Sequence, residues 1–175
     1  MKRFIWIGLA LGALISFTTA GPTVEESEIR FQIVNAGLTV QGSLTGLEAD
    51  IRFDPVHPEQ ASIRASVPVN TIKTGLSFRD RHLQKPDYFN AEQNPVITLQ
   101  SKTIRKTGRD TYEGLFDLGI KAIHRDVKMP FSVSPKNEFV GNLQINRLDF
   151  DVGKSSLVLA NEVFISIRVK VAGGS

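Results

Sequence analysis

The densest chemistry in the sequence lies in Arg79-Asp80-Arg81-His82. A histidine beside a carboxylate is the pairing that acid–base catalysis uses, because the carboxylate orients the ring and stabilises its charged form. With Ser77 or Ser101 as nucleophile, His82 as base and Asp80 as its orienting group, the stretch would suit an enzyme. The spacing gives this little support, since residues two apart do not face each other on a helix. No G-x-S-x-G elbow occurs anywhere in the chain. The competing reading makes Arg79, Asp80 and His82 a hydrogen-bond and ion-pair knot that anchors this segment to the body of the protein. That reading is adopted, and no catalytic residue is expected.

Other chemistries are thinner still. His57, His82 and His124 are scattered without a short ligand spacing, so no metal site is expected. The absence of cysteine removes thiolate catalysis, disulfides and Cys-zinc sites. No glycine pattern resembles a phosphate loop or a dinucleotide fingerprint, and no cofactor is expected. Lys102, Arg105, Lys106 and Arg109 gather around one hairpin. Anionic lipid headgroups could meet such a cluster, but a solvated turn is the preferred reading.

The anchored stretch belongs to a longer one, Thr74 to Pro95, in which alternation of apolar and polar residues stops. A long loop without structure of its own is uncommon in a compact domain, so one or two short helical turns are expected over residues ~75–92. On either side the pattern has period two, the mark of half-buried strands. Ile29, Phe31 and Ile33 alternate with polar residues, and Leu38 and Val40 follow an Asn35-Ala36-Gly37 turn. Ile51 and Phe53 make one run; Ile63, Ala65, Val67 and Val69 make the next. Ile97 and Leu99 resume the pattern, Thr107-Gly108 marks a hairpin, and Val127, Met129, Phe131 and Val133 share a face. Val163, Ile165, Ile167, Val169 and Val171 form the clearest strand. The expected fold is all-β, with eight or nine antiparallel strands joined by short turns. Periodicity alone leaves a filled sandwich and a hollow barrel equally open.

The chain has 175 residues, the size of one domain. Lys2 and Arg3 precede an apolar run from Phe4 to Phe17 and a small-residue site at Thr18-Thr19-Ala20. This reads as a cleavable secretory leader over residues 1–20, since the run is shorter than the ~20 residues of a spanning helix. A single domain over 21–175 remains. Removing Lys2 and Arg3 leaves 19 basic against 18 acidic residues, which gives no electrostatic case for nucleic acid.

Several separated motifs now carry a resemblance. Arg79-Asp80-Arg81-His82-Leu83, Asp87-Tyr88-Phe89 and Pro95 closely resemble the R-D-x-H-L, D-Y-F and P segment of the YceI family. Ile51-Arg52-Phe53-Asp54-Pro55 is similar to its F-D-P strand end, and Asn70-Thr71-Ile72-Lys73-Thr74 to its S-I-x-T step. Ile145-Asn146-Arg147, Asp149-Phe150 and Val152-Gly153 resemble its I-N-R-x-D-F-x-V-G motif. The order and spacing agree over nearly the whole chain after the leader. Two places depart. Gly119, Ala122 and His124 stand where threonine, glycine and threonine are common, and Leu148 and Asp151 replace a small or polar residue and a glycine.

The resemblance implies an antiparallel, lipocalin-like barrel of about eight strands with a short helical insertion. It further implies a non-catalytic periplasmic carrier that holds a long isoprenoid, an isoprenoid quinone or a fatty-acid-like lipid inside the barrel. Transient contact with a membrane surface is expected, and a homodimer is compatible with this reading. The expected cavity wall is Phe31, Ile33, Val40, Phe53, Val67, Val69, Leu99 and Phe131, with Ile72, Leu83, Tyr88 and Phe89 on the cap. His124 and Leu148 are the departures expected to alter the wall or mouth. Two alternatives stay open: an interaction module with a packed β core, and a lipid-modifying enzyme using His82 and Asp80.

Overall fold

The computed structural model describes residues 23–172; the leader expected over residues 1–20 lies outside them. Nine strands follow in chain order: β1 (Val24–Asn35), β2 (Leu38–Leu44), β3 (Glu48–Arg52), β4 (Ser62–Pro68), β5 (Val96–Lys106), β6 (Thr111–Ile120), β7 (Ile123–Val133), β8 (Glu138–Asn146) and β9 (Leu159–Val171). One α-helix, α1 (Ser77–Leu83), lies between β4 and β5. The strands form one antiparallel sheet in the order β2-β1-β9-β8-β7-β6-β5-β4-β3. The sheet curls on itself as a half-barrel, with β2 and β3 as its two edges. The lipocalin-like barrel expected from sequence is therefore present, with nine strands and no ladder between its first and last.

Period-two alternation sets which side of each strand faces inward. In β9, Val163, Ile165, Ile167, Val169 and Val171 turn inward while Glu162, Phe164, Ser166 and Arg168 are exposed. The β1–β2 hairpin turns through Ala36 (φ 50°) and Gly37 (φ 78°). Two successive left-handed residues match the twist of the flanking strands.

The strand read through Val69 stops one residue earlier. Proline offers no N–H to a ladder, and β4 ends at Pro68. Val69–Thr71 forms a 3-10 turn instead. The chain then makes an excursion and returns at Pro95, whose carbonyl accepts the Val69 N–H at 2.9 Å.

Inward side chains pack densely at one end of the sheet. Phe53 meets Tyr112 (4.9 Å between ring centroids), Phe139 (5.4 Å) and Phe131 (6.2 Å), and Phe131 also meets Tyr112 and Phe116. At the other end β7 and β8 separate. Their pairing is confined to Phe131–Val133 against Phe139–Gly141. A 3-10 turn at Arg147–Phe150 follows β8 there, and its Phe150 is 1 % exposed.

Candidate functional site

The excursion between β4 and β5 is held by its stem. Lys73 and Ser43 exchange both backbone hydrogen bonds (2.8 and 2.9 Å), which attaches the stem to the free edge of β2. Thr71 Oγ1 donates to Thr45 O and Pro68 O and accepts from Thr45 N–H. A helix as short as α1 is marginal by itself, so its position must come from tertiary contacts. Those contacts converge on Thr74, which is buried. The Asp80 carboxylate accepts from Thr74 N–H (2.8 Å) and Thr74 Oγ1 (2.7 Å). Arg79 donates to Thr74 Oγ1 (2.7 Å) and Thr74 O (2.6 Å). The Thr74 hydroxyl bond holds the Asp80 carboxyl below its ordinary pKa; burial opposes this, and the Thr74 N–H and the Lys73 and Arg79 charges assist it.

Under this cap lies a single apolar cavity of about 550 Å³. That size falls in the range of small-molecule and cofactor sites, ~300–1,000 Å³. The interior is therefore hollow toward the cap, which counts against a packed-core module. Exposure along β9 shows the same transition. Val169 and Val171 are buried at the packed end, whereas Val163, Ile165 and Ile167 point inward yet are only half-buried.

Ten of the twelve expected wall and cap residues line the cavity: Phe31, Ile33, Val40, Val67, Ile72, Leu83, Tyr88, Phe89, Leu99 and Phe131. Two do not. Val69 sits in the turn after Pro68, 1 % exposed beneath the stem. Phe53 lies just past the paired part of β3 and folds into the aromatic cluster below the cavity. Phe31 owes its place partly to Gly42, its partner across β1 and β2. A Cβ at Gly42 would come within 2.2 Å of the Phe31 ring, so only glycine lets that ring lie against the strand.

The expected polar knot divides. Arg79 and Asp80 anchor the cap, but His82 is not part of the knot. Its ring lies 5.0 Å from that of Tyr88 and 6.2 Å from that of Phe78, half-buried at the cavity. Among the described residues no hydrogen bond reaches it from Asp80, whose carboxylate is turned to Thr74. Ser101 Oγ accepts the Ile63 N–H at 2.9 Å. The pairing of Asp80 with His82 that the acid–base reading required, with Ser77 or Ser101 as nucleophile, therefore does not form. No group of three or more His, Asp or Glu gathers as a metal site among the described residues.

Two polar residues escaped the reading of the sequence. Thr74 is the hub of the anchor, though it stood only as the end of a motif. Arg147 is 4 % exposed and reaches the cavity. Its guanidinium donates to the carbonyls of Ala160 (2.9 Å), Val152 (2.8 Å), Lys154 (2.9 Å) and Leu159 (3.3 Å), and to Asn161 Oδ1 (3.3 Å). Burial lowers its pKa from the ordinary value, and Tyr88 works the other way. A planar fork of five donors suits this role, since one side chain can hold several chain turns at once. The family-like motifs meet here. Asn146 Oδ1 caps the turn by accepting Leu148 N–H, and Gly153 N–H donates to Asp87 O at 2.9 Å. Gly153 has φ 71°, and a Cβ there would press on Tyr88 and Arg147 at 3.0 Å. The D-Y-F segment is thereby fastened to the V-G segment.

The departures fall outside the wall. His124 Nδ1 pairs with Asp117 Oδ2 at 2.6 Å on the outer face, since Phe116 and Leu118 on either side of Asp117 line the cavity. Leu148 does not line it either. Asp151 ends the 3-10 turn at φ 52°, a left-handed position that favours glycine. Three of the four cations of the basic hairpin have partners, and Arg109 is exposed at the turn. Lys102 pairs with Asp126, Arg105 with Glu113, and Lys106 lies over the Tyr112 ring, the last two toward the packed end.

Residues 23–171 match the family described as a YceI-like domain. A UPF0312 protein of Azotobacter vinelandii is 20 % identical over 152 residues, covering 81 % of this chain and 79 % of that protein. The structure of Burkholderia cenocepacia BcnA is similar, with a TM-score of 0.79 and 25 % identity over 84 % of this chain and 96 % of that one. A polyisoprenoid binding domain from Saccharophagus degradans, implicated in plant cell wall breakdown, shares the fold. Its TM-score is 0.69 at 12 % identity, over 89 % of this chain and all of that one.

Proposed function

Because this chain belongs to the YceI-like family, we propose that it is a binding protein for a long apolar lipid. The ligand class is an isoprenoid or similar chain, carried without chemical change in the periplasm. The observation that carries this reading is the continuous apolar cavity beneath a cap pinned at Thr74. The polyisoprenoid binding described for the Saccharophagus degradans domain supports the ligand class, and the leader-like residues 1–20 support export.

Burial of the chain drives binding, at about 0.8 kcal/mol per CH₂ before ordering costs. Those costs fall on the tail and on the cap, which must part from the sheet to admit it. Tail length is selected by the depth between the cap and the Phe116–Phe131 floor. His82, Tyr88 and Arg79 supply the polar groups that meet a headgroup at the mouth.

The test is native mass spectrometry of the protein purified from its own host, followed by organic extraction and lipid identification. One isoprenoid-type lipid per chain or per dimer is the expected result. A protein that is empty, and stays empty after incubation with quinones, polyprenyl phosphates and fatty amides, overturns the proposal.

A further inference from the structure

We propose that the rim of the cavity mouth is a docking surface for a bilayer bearing anionic headgroups. This rests on the lipid-binding reading and names the surface from which the ligand would enter and leave.

Large apolar side chains are left in solvent on three neighbouring segments. Leu76 and Phe78 are 59 % and 77 % exposed although both line the cavity, which places them on its lip. Leu38, at the tip of the β1–β2 hairpin, is 73 % exposed, and Leu157 and Val158, before β9, are exposed as well. The last two are fixed beside the hairpin by the bond from Ala36 N–H to Val158 O (2.7 Å). Val34, Leu157 and Val158 share a shallow groove with Leu159, and Leu159 also lines the cavity. The exposed side chains thus border the same cavity, directly through Leu76 and Phe78 and through the adjoining Asn35 and Leu159 on the hairpin side. A patch of this kind marks an interaction site more often than a free surface.

The charge on these segments selects the partner. Between Val69 and Pro86 the only carboxylate is Asp80, which is buried and bonded to Thr74, while Lys73, Arg81 and Lys85 are exposed. The stretch from Gly153 to Val158 carries Lys154 and no acid, and Val34 to Leu38 carries no charge. Carboxylates resume at Asp87 and Asp151, beyond the apolar side chains. Lys73, Arg81, Lys85 and Lys154 make no ion pair among the described residues, and apolar groups interleaved with such cations are the pattern of interfacial membrane binding. A second copy of the chain seated on this rim would face the same cations with cations, which disfavours self-association there. The basic hairpin at the far end lacks this character, because no large apolar side chain among the described residues is exposed beside its cations and its Lys102 and Arg105 are already paired.

Flotation with phosphatidylcholine vesicles, with and without phosphatidylglycerol, tests the assignment on the purified protein. Leu38→Glu and Leu157→Glu are the informative variants, since both side chains are exposed and neither lines the cavity. Wild type should float with the anionic vesicles and be released by salt. The double variant should bind at least ~10-fold more weakly while retaining the lipid found on extraction. Three results would overturn the proposal: no flotation of wild type, equal flotation of the double variant, or a concentration-dependent dimer that the variant disrupts. Extraction separates this from the function itself. A protein that floats but carries no lipid overturns only the cavity reading, and one that carries lipid but does not float overturns only the rim.

Discussion

At the packed end of the half-barrel, Phe53, Tyr112, Phe116, Phe131 and Phe139 form a network of ring contacts, and Phe116, Phe131 and Phe139 also face the cavity as its floor. At the capped end a seven-residue helix is held by hydrogen bonds through one threonine, over a cavity of about 550 Å³. The two ends are closed by different forces. Aromatic packing is dense and opposes displacement of any one ring. A polar hinge is different, because water can replace its bonds one at a time when the cap lifts, so the net cost of opening is small. A packed floor beneath a polar-anchored cap suits the lipid-binding role proposed above, with the two tasks divided between the two ends.

That contrast can be broken in order of expected effect. Phe131→Ala removes ring contacts with Tyr112, Phe53 and Phe116. It should lower the unfolding free energy by about 3–5 kcal/mol, read in denaturant titrations with one cooperative transition. A loss well under that range would mean the aromatic end is not the rigid base of the fold.

Asp80→Ala leaves the Thr74 N–H and hydroxyl without their acceptor, a cost of about 1–3 kcal/mol. The effect should stay local, with faster amide exchange over 74–83, faster lipid release and unchanged exchange along β9. Equal acceleration in β9 would show the two ends to be one cooperative unit.

Acid should loosen the cap in the same place. The folded Asp80 pKa is lowered, so its contribution is fully present above the ordinary aspartate value of ~3.9. It is lost as pH falls below that value toward the depressed one. Lipid retention should therefore be flat near neutrality and drop only below about pH 4, and Asp80→Asn should remove that limb of the profile. The smallest effect belongs to Asp151→Gly, which relieves the left-handed strain at φ 52°. It should stabilise the protein by less than about 1 kcal/mol, without changing lipid release.

Much of this was legible in the sequence because alternation is a local property. Val163 to Val171, Ile97 with Leu99, and Phe31 with Ile33 declare their inward face within a few residues. The stretch from Thr74 onward declared itself by the loss of that period. Val69 was misread because period two runs on past Pro68, and only the missing proline N–H and the bond to Pro95 turn the chain there. Phe53 was misread for a similar reason: its face was right, but its strand ends one residue earlier.

The sequence by itself determined the strands, their inward faces, the place of the insertion and the motifs that tie the chain to its family. Only the tertiary structure decided that the inward faces meet at one end and stand apart at the other. That outcome depends on sheet curl and on the separation of β7 from β8, which no local period encodes. It also decided that Asp80 bonds to Thr74 rather than to His82, and that Arg147 gathers carbonyls from several turns of chain. A polar side chain bonds to whatever the fold brings within about 3 Å, and for a buried group the penalty of remaining unpaired makes that choice binding.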